Sequence, residues 1–157
     1  MENTNEMTII FDSRPVNEGL ARITAASFCT QLNPTLEEVT DLKTAVSEAV
    51  TNCIIHGYQG EIHKITMTCR RKGQEIFVDI SDEGVGIPDI QKAMEPLYTT
   101  RPDKERSGMG FTFMEAFMDQ VTVESTVGKG TTVHMKKWIG RQNGTDPCSD
   151  QACAPGR

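Results

Sequence analysis

Between Ile65 and Ile80 the apolar side chains fall on every second residue: Ile65, Met67 and Cys69, then, after Lys72-Gly73-Gln74, Ile76, Val78 and Ile80. A period of two places such side chains on one face of a pleated strand, and a glycine-centred break lets the chain reverse. The segment is expected to be a hairpin with one apolar face, and that face needs a second layer to cover it. The preceding residues supply one. From about Asn17 to Leu32, Leu20, Ile23 and Ser27 form one stripe and Ala21, Ala25, Phe28 and Leu32 the next. Together they read as the broad apolar face of an amphipathic helix, with Arg22 pointing away from it. Asn33-Pro34 ends that helix, and Thr35 followed by Glu38 has capping-box spacing, so a second helix starts there and runs to Gly57.

The rest of the chain follows the same two periods. Thr8 to Phe11 reads as a short edge strand, Pro88 to Met94 as a short helix, and Glu95 to Ser107, rich in Thr, Pro and charge, as a lid. Gly108 to Met118 resumes helical spacing, and Val121 to Ser125 and Thr131 to Lys137 read as strands joined by Val127-Gly128-Lys129-Gly130. Residues 138–157 have the composition of a disordered tail, which leaves 1–137 as one domain. Helices grouped between antiparallel strand pairs imply an α+β two-layer sandwich.

Composition narrows the function. A chain of 157 residues has the length of one domain, and 37 % hydrophobic residues are enough for a core. Sixteen Lys and Arg against 22 Asp and Glu give a net charge of −6, which argues against DNA or RNA as the main partner. No apolar run approaches the ~18 residues of a membrane span, and MENTNEM lacks the order of a signal peptide, so a cytoplasmic protein is expected. Five cysteines without CxxC spacing argue against a disulfide framework or zinc site. Cys29, Cys53 and Cys69 fall on expected core faces, and Cys148 and Cys153 in the tail.

Three elements could carry chemistry. Glu48, Asn52 and His56 are spaced by four on the second helix, so a carboxylate, a carboxamide and an imidazole project from one side, opposite Val46, Ala49, Val50 and Cys53. The same spacing is also that of an ordinary solvated face. Asp82-Glu83-Gly84-Val85-Gly86-Ile87 sets an acid at the end of an apolar strand, before two glycines. Asp82 could accept from an exocyclic amine such as that of adenine, or simply close an Asx turn. Ser107-Gly108-Met109-Gly110 opens a helix whose free N–H groups and dipole would attract phosphate, and Arg101, Lys104 and Arg106 crowd the loop before it. Alone, that glycine pair is equally a flexible turn.

In combination and in this order, EAVTNCIIHG, DEGVGI and RSGMGF resemble the Bergerat ATP-binding fold shared by gyrase B, Hsp90, histidine kinases and MutL. PLYTTRPDKERSGMGFTFMEAFMDQV, with SEAVTNCIIHGY and VGKGTTVHMKK, is more closely similar to the anti-sigma factor F serine kinases of spore-forming bacteria. The likeness runs from about Met7 to Lys137. It implies a mixed, mainly antiparallel sheet with helices on one face, and ATP with Mg²⁺ as cofactors. By the same resemblance Glu48 is the general base, and Asn52 is the Mg²⁺ ligand, a neutral oxygen donor suited to a hard cation. Asp82 reads adenine, Gly84 and Gly86 form the loop beneath the base, and Gly108 and Gly110 cradle phosphate. Arg106 contacts phosphate and Thr131 supports adenine from a strand. Arg22 corresponds to an arginine that engages both protein partners. His56 is read instead as a helix-end residue bonding last-turn carbonyls.

The resemblance thus implies a homodimeric anti-sigma factor that holds a sporulation sigma factor and phosphorylates an anti-anti-sigma factor on serine. A non-catalytic, ATP-dependent sigma-binding module is the alternative. Glu48 favours catalysis, because a module that only binds nucleotide needs no base there. A histidine kinase core is weakened by the lack of room for a separate phosphoacceptor hairpin.

Overall fold

A computed structural model describes residues 3–95 and 110–140. The expected lid beyond Glu95, with Arg101, Lys104, Arg106 and Gly108, and residues 141–157, with Cys148 and Cys153, lie outside the described residues.

Five strands form one sheet in the order β1-β2-β3-β5-β4: β1 (Thr4–Asp12), β2 (Lys64–Lys72), β3 (Glu75–Asp82), β4 (Gln120–Thr126) and β5 (Gly130–Trp138). All four pairings among these strands are antiparallel. The two-layer α+β sandwich is therefore present, with an antiparallel sheet where a mixed, mainly antiparallel one is expected. The period-two pattern sets the register: Met67 faces Ile80, Cys69 faces Val78, and Ile80 faces Val133, all fully or nearly fully buried. The outer face carries polar pairs, including the Thr8–Thr68 hydroxyls at 2.9 Å and the Ser81–Thr132 hydroxyls at 2.8 Å.

The covering layer consists of α1 (Val16–Cys29), α2 (Leu36–Asn52), a short α3 (Ile90–Ala93) and α4 (Gly110–Phe117). A single 3₁₀ turn over Thr30–Leu32 ends α1, and Asn33, at φ 53°, reverses the chain. The expected capping box is formed: Glu38 N–H donates to Thr35 Oγ1 at 3.1 Å, and Thr35 N–H donates to Glu38 Oε1 at 2.8 Å. Packed against α1, α4 and β3, α2 is the central helix. Leu42, Ala45, Val46, Ala49 and Val50 are completely buried along it.

Two expectations need correction. Leu20 and Ile23 are not core residues: they are 51 % and 63 % exposed, and Ser27 is exposed as well. The helix packs through Ala21, Ala25, Phe28 and Cys29, whose small alanines admit close approach. At 3.6 residues per turn, Val16, Leu20 and Ile23 form a second apolar stripe on roughly the opposite side. The packed chain also extends past residue 137, because Ile139 is fully buried and Gly140 N–H donates to Glu38 Oε2 at 2.8 Å.

Candidate functional site

At the C-terminal end of α2 the hydrogen-bond ladder widens. Tyr58 N–H donates to Cys53 O at 2.8 Å, five residues back, and Cys53–Gly57 make one π turn. Such turns insert one residue into the helical stack and re-aim the side chains around it. Here the turn faces the end of β3, where Asp82 pairs with Thr131 of β5. Between them lies a cavity of about 350 Å³. The turn of α2 lines it with Asn52, Cys53, His56 and Gly57, the strands with Asp82, Thr131 and Val133, the following loop with Val85, Gly86 and Ile87, and α4 with Gly110 and Phe111.

Asp82 is 7 % exposed, and its carboxylate is held from several sides. Gly84 N–H donates to Oδ1 at 2.9 Å, and the donor groups of the Cys53 side chain and the Thr131 backbone lie near it. Burial pushes the Asp82 carboxyl above its ordinary value, and these donors pull in the opposite direction without reversing it. A buried carboxylate beside apolar Val85, Ile87 and Val133 is suited to accept from an amine on a flat heterocycle.

The loop after β3 is fixed by backbone contacts that admit no side chain. A Cβ on Gly84 would lie 2.0 Å from Gly57 O, and one on Gly57 would lie 2.7 Å from Asp82 Oδ2. Gly57 O in turn accepts the Val85 N–H at 3.0 Å, and Gly128 N–H donates to Val85 O at 2.8 Å. Gly86 has φ 77°, which a side chain would strain. Behind the loop, Tyr58 accepts the Glu83 N–H at 2.8 Å and donates to Lys64 O.

Five expected residues therefore meet at one cavity: Asn52, Asp82, Gly86, Gly110 and Thr131. Gly84 supports Asp82 from behind and borders a neighbouring cleft rather than this cavity. Glu48 lies one turn before Asn52 on α2, half-buried and outside the lining. His56, read as a helix-end residue, sits in the π turn and lines the cavity. Arg22 is remote on α1, with its side chain 43 % exposed and 3.7 Å from Glu18.

Several contributors carry no signal at short range in the chain. Ser125 Oγ accepts the Ile87 N–H at 2.7 Å and lies 2.7 Å from Thr131 Oγ1, so it ties the loop to the strand hydroxyl. Gly57 passes for an ordinary helix stop, and Cys53 for a core hydrophobe.

The chemistry of the lining fits an adenine nucleotide. Apolar Val85, Ile87, Val127 and Val133 suit a base, Asp82 its amine, and the first turn of α4 an anion. Among the described residues no cluster of three or more His, Cys, Asp or Glu could hold a metal ion. The Asn52 oxygen fits a Mg²⁺ that takes its remaining ligands from phosphates and water.

The model of the histidine kinase-like ATPase domain matches residues 11–137. The anti-sigma F factor of Thermoanaerobacter sp. (strain X514) is 57 % identical over 140 residues, covering 89 % of this chain and 98 % of that one. The anti-sigma F factor of Geobacillus kaustophilus (strain HTA426) is 54 % identical over 138 residues, 87 % of this chain and 94 % of that one. Among solved structures, the RsbU and RsbW domains of a Mycobacterium tuberculosis protein superpose with a TM-score of 0.63 at 17 % identity. That match covers 87 % of this chain and 32 % of the other, and at this identity it speaks for the fold alone. No described helix is long and apolar enough to cross a membrane.

Proposed function

The chain belongs to the anti-sigma F factor family and is an anti-sigma factor with protein serine kinase activity, and from this premise we propose how its residues divide the work. ATP enters the cavity with adenine against Asp82 and Thr131 and its phosphates toward Asn52 and the start of α4. The convergence of these groups on one cavity carries this reading. Asn52 would be a ligand of Mg²⁺, which when bound neutralises phosphate charge. Arg106 and Gly108 complete the phosphate contacts. The acceptor is a serine of an anti-anti-sigma factor. Its hydroxyl oxygen bonds to the γ-phosphorus, the bond from that phosphorus to the β,γ-bridging oxygen breaks to release ADP, and the hydroxyl proton passes to the Glu48 carboxylate.

The sigma factor bound is a sporulation sigma factor, and binding takes place in the cytoplasm. We assign the outer face of α1 to protein contacts, with Val16, Leu20 and Ile23 meeting a second copy and Arg22 reaching the sigma factor or the anti-anti-sigma factor. The support is exposure: Val16, Leu20 and Ile23 are 77 %, 51 % and 63 % exposed, an unusual outlay of apolar surface on one short helix.

Labelled ATP and the anti-anti-sigma factor test the division of roles. Glu48→Gln keeps ATP and sigma-factor binding and slows phosphate transfer by roughly 10²–10⁴-fold, the usual worth of a general base. A rate within about threefold of wild type removes the base role and leaves positioning to do the work. Asn52→Ala, checked by calorimetry, loses the Mg²⁺-dependent part of ATP affinity.

A further inference from the structure

Three consecutive backbone N–H groups follow Asp82, and each has a different acceptor. Glu83 N–H donates to Tyr58 Oη at 2.8 Å, Gly84 N–H to Asp82 Oδ1 at 2.9 Å, and Val85 N–H to Gly57 O at 3.0 Å. The first of these bonds fixes the peptide directly after Asp82, and with it the backbone from which the carboxylate projects. Tyr58 is itself firmly held. Its side chain is buried, its N–H donates to Cys53 O at 2.8 Å to close the π turn, and its hydroxyl donates to Lys64 O at the start of β2. Its ring also lies against His63, with centroids 5.0 Å apart. Tyr58 lines the cleft behind the loop and not the nucleotide cavity. A phenylalanine would fill the same space, so the hydroxyl is what joins β2 to the loop.

We propose that Tyr58 is a positioning residue for adenine recognition, its hydroxyl fixing the Asp82–Glu83 peptide so that the Asp82 carboxylate faces the amine of the base. The proposal rests on the reading of Asp82 as the adenine acceptor and deepens it. A phenol both donates and accepts, which lets this one oxygen serve Lys64 O and the Glu83 N–H together. The rest of the loop has ties of its own. Gly128 N–H donates to Val85 O at 2.8 Å, and Ile87 N–H donates to Ser125 Oγ at 2.7 Å. Without the phenol oxygen, the Glu83 N–H turns toward water and carries the peptide beside Asp82 with it. The apolar surface of Val85 and Ile87 stays where its own bonds hold it. The loss therefore falls on the contact to the amine and spares the contacts to the ring.

Two nucleotides separate the roles: ATP, and purine riboside triphosphate, whose base lacks the exocyclic amine. Affinities are measured by calorimetry for wild type, Tyr58→Phe, Thr35→Ala and Asp82→Asn, each confirmed folded by thermal melting. Tyr58→Phe should lower ATP affinity by roughly three- to tenfold, the worth of one hydrogen bond, and the affinity for the amine-free analogue by less than about twofold. In the same variant, amide exchange followed by NMR should show the Glu83 N–H losing protection. Thr35→Ala removes the capping box at the far end of α2 and lowers stability without touching the loop, so it should keep the wild-type ratio between the two nucleotides. Equal losses for both nucleotides in Tyr58→Phe, no loss for either, or the same change of ratio in Thr35→Ala overturns the proposal and leaves Tyr58 a packing residue. Asp82→Asn distinguishes the premise. If it leaves the wild-type ratio intact, Asp82 does not read the amine and both readings fall. If it collapses the ratio while Tyr58→Phe does not change it, only the role of Tyr58 is lost.

Discussion

His134 sits on the outer face of the sheet between two carboxylates, with Nδ1 2.8 Å from Asp79 Oδ1 and Nε2 3.3 Å from Glu124 Oε2. Partial burial opposes its charged form, but the hydrogen bonds and charges of Asp79 and Glu124 outweigh it and raise the imidazole pKa above its ordinary value. A base with a raised folded pKa contributes its full stabilisation below the unfolded value of about 6.5, and that contribution is lost as pH rises through the folded pKa. Urea midpoints of the wild type should therefore fall as pH rises across that window, and His134→Gln should flatten this dependence. Equal slopes would show that the two carboxylates do not hold the charge. In the site the decisive contacts are steric. Gly57→Ala should fold yet lose ATP affinity on the order of tenfold, because the new methyl displaces the Asp82 carboxylate and misplaces the acceptor. Unchanged affinity in calorimetry would mean the carboxylate can move without cost. Neither contact is legible in the sequence: Gly57 and Asp82 are far apart along the chain, and only the assembled π turn and strand bring them together. Asp82 itself is legible, because an acid at the end of an alternating strand that opens DEGVGI is a local pattern.

For α2, the two ends have different tasks. Its seventeen residues at about 1.5 Å each separate the capping box from Asn52 by about 25 Å. Thr35→Ala should thus cost about 1 kcal/mol of stability, measured by urea unfolding, without altering ATP affinity. A loss of affinity at constant stability would contradict this separation. The cap is legible from sequence because both partners lie within three residues of each other. The inner face of α1 is legible too, through Ala21, Ala25 and Phe28, but its outer stripe is not distinguished from it. Leu20 and Ile23 give the same apolar signal as core residues, since hydropathy records that a side chain avoids water and not what covers it. The π turn escapes any periodic reading, because five residues are too few to show a change of period.

On the scale of the whole molecule, the sheet has two closed ends. At one, Asp82 and Thr131 frame the cavity. At the other, Arg71 donates to Gln31 O at 3.2 Å and to Gly73 O at 2.9 Å, and Gln74 donates to Leu32 O at 3.2 Å and to Ile139 O at 3.1 Å. The segment after β5 belongs to this second closure. Ile139 N–H donates to Gln74 O at 2.8 Å, its side chain is fully buried, and Gly140 reaches Glu38 at the start of α2. Two adjacent apolar residues, Trp138 and Ile139, amid polar ones have no period, which is why composition places the boundary of the domain at 137. The two boundaries give different outcomes when the chain is shortened. Ending it after Gly140 leaves the buried cluster intact, from Phe11 to Ile139, so the urea midpoint and ATP affinity should match those of the full chain. Ending it after Lys137 removes Ile139, whose burial is worth about 1.5–3 kcal/mol, and leaves the Gln74 carbonyl and one Glu38 oxygen without these donors. That chain should unfold at a clearly lower urea concentration, with its ATP affinity retained where it remains folded, because the cavity lies at the other end of the sheet. Coincident unfolding curves for the two truncations would show that the closure contributes nothing and that 137 is the true edge of the domain.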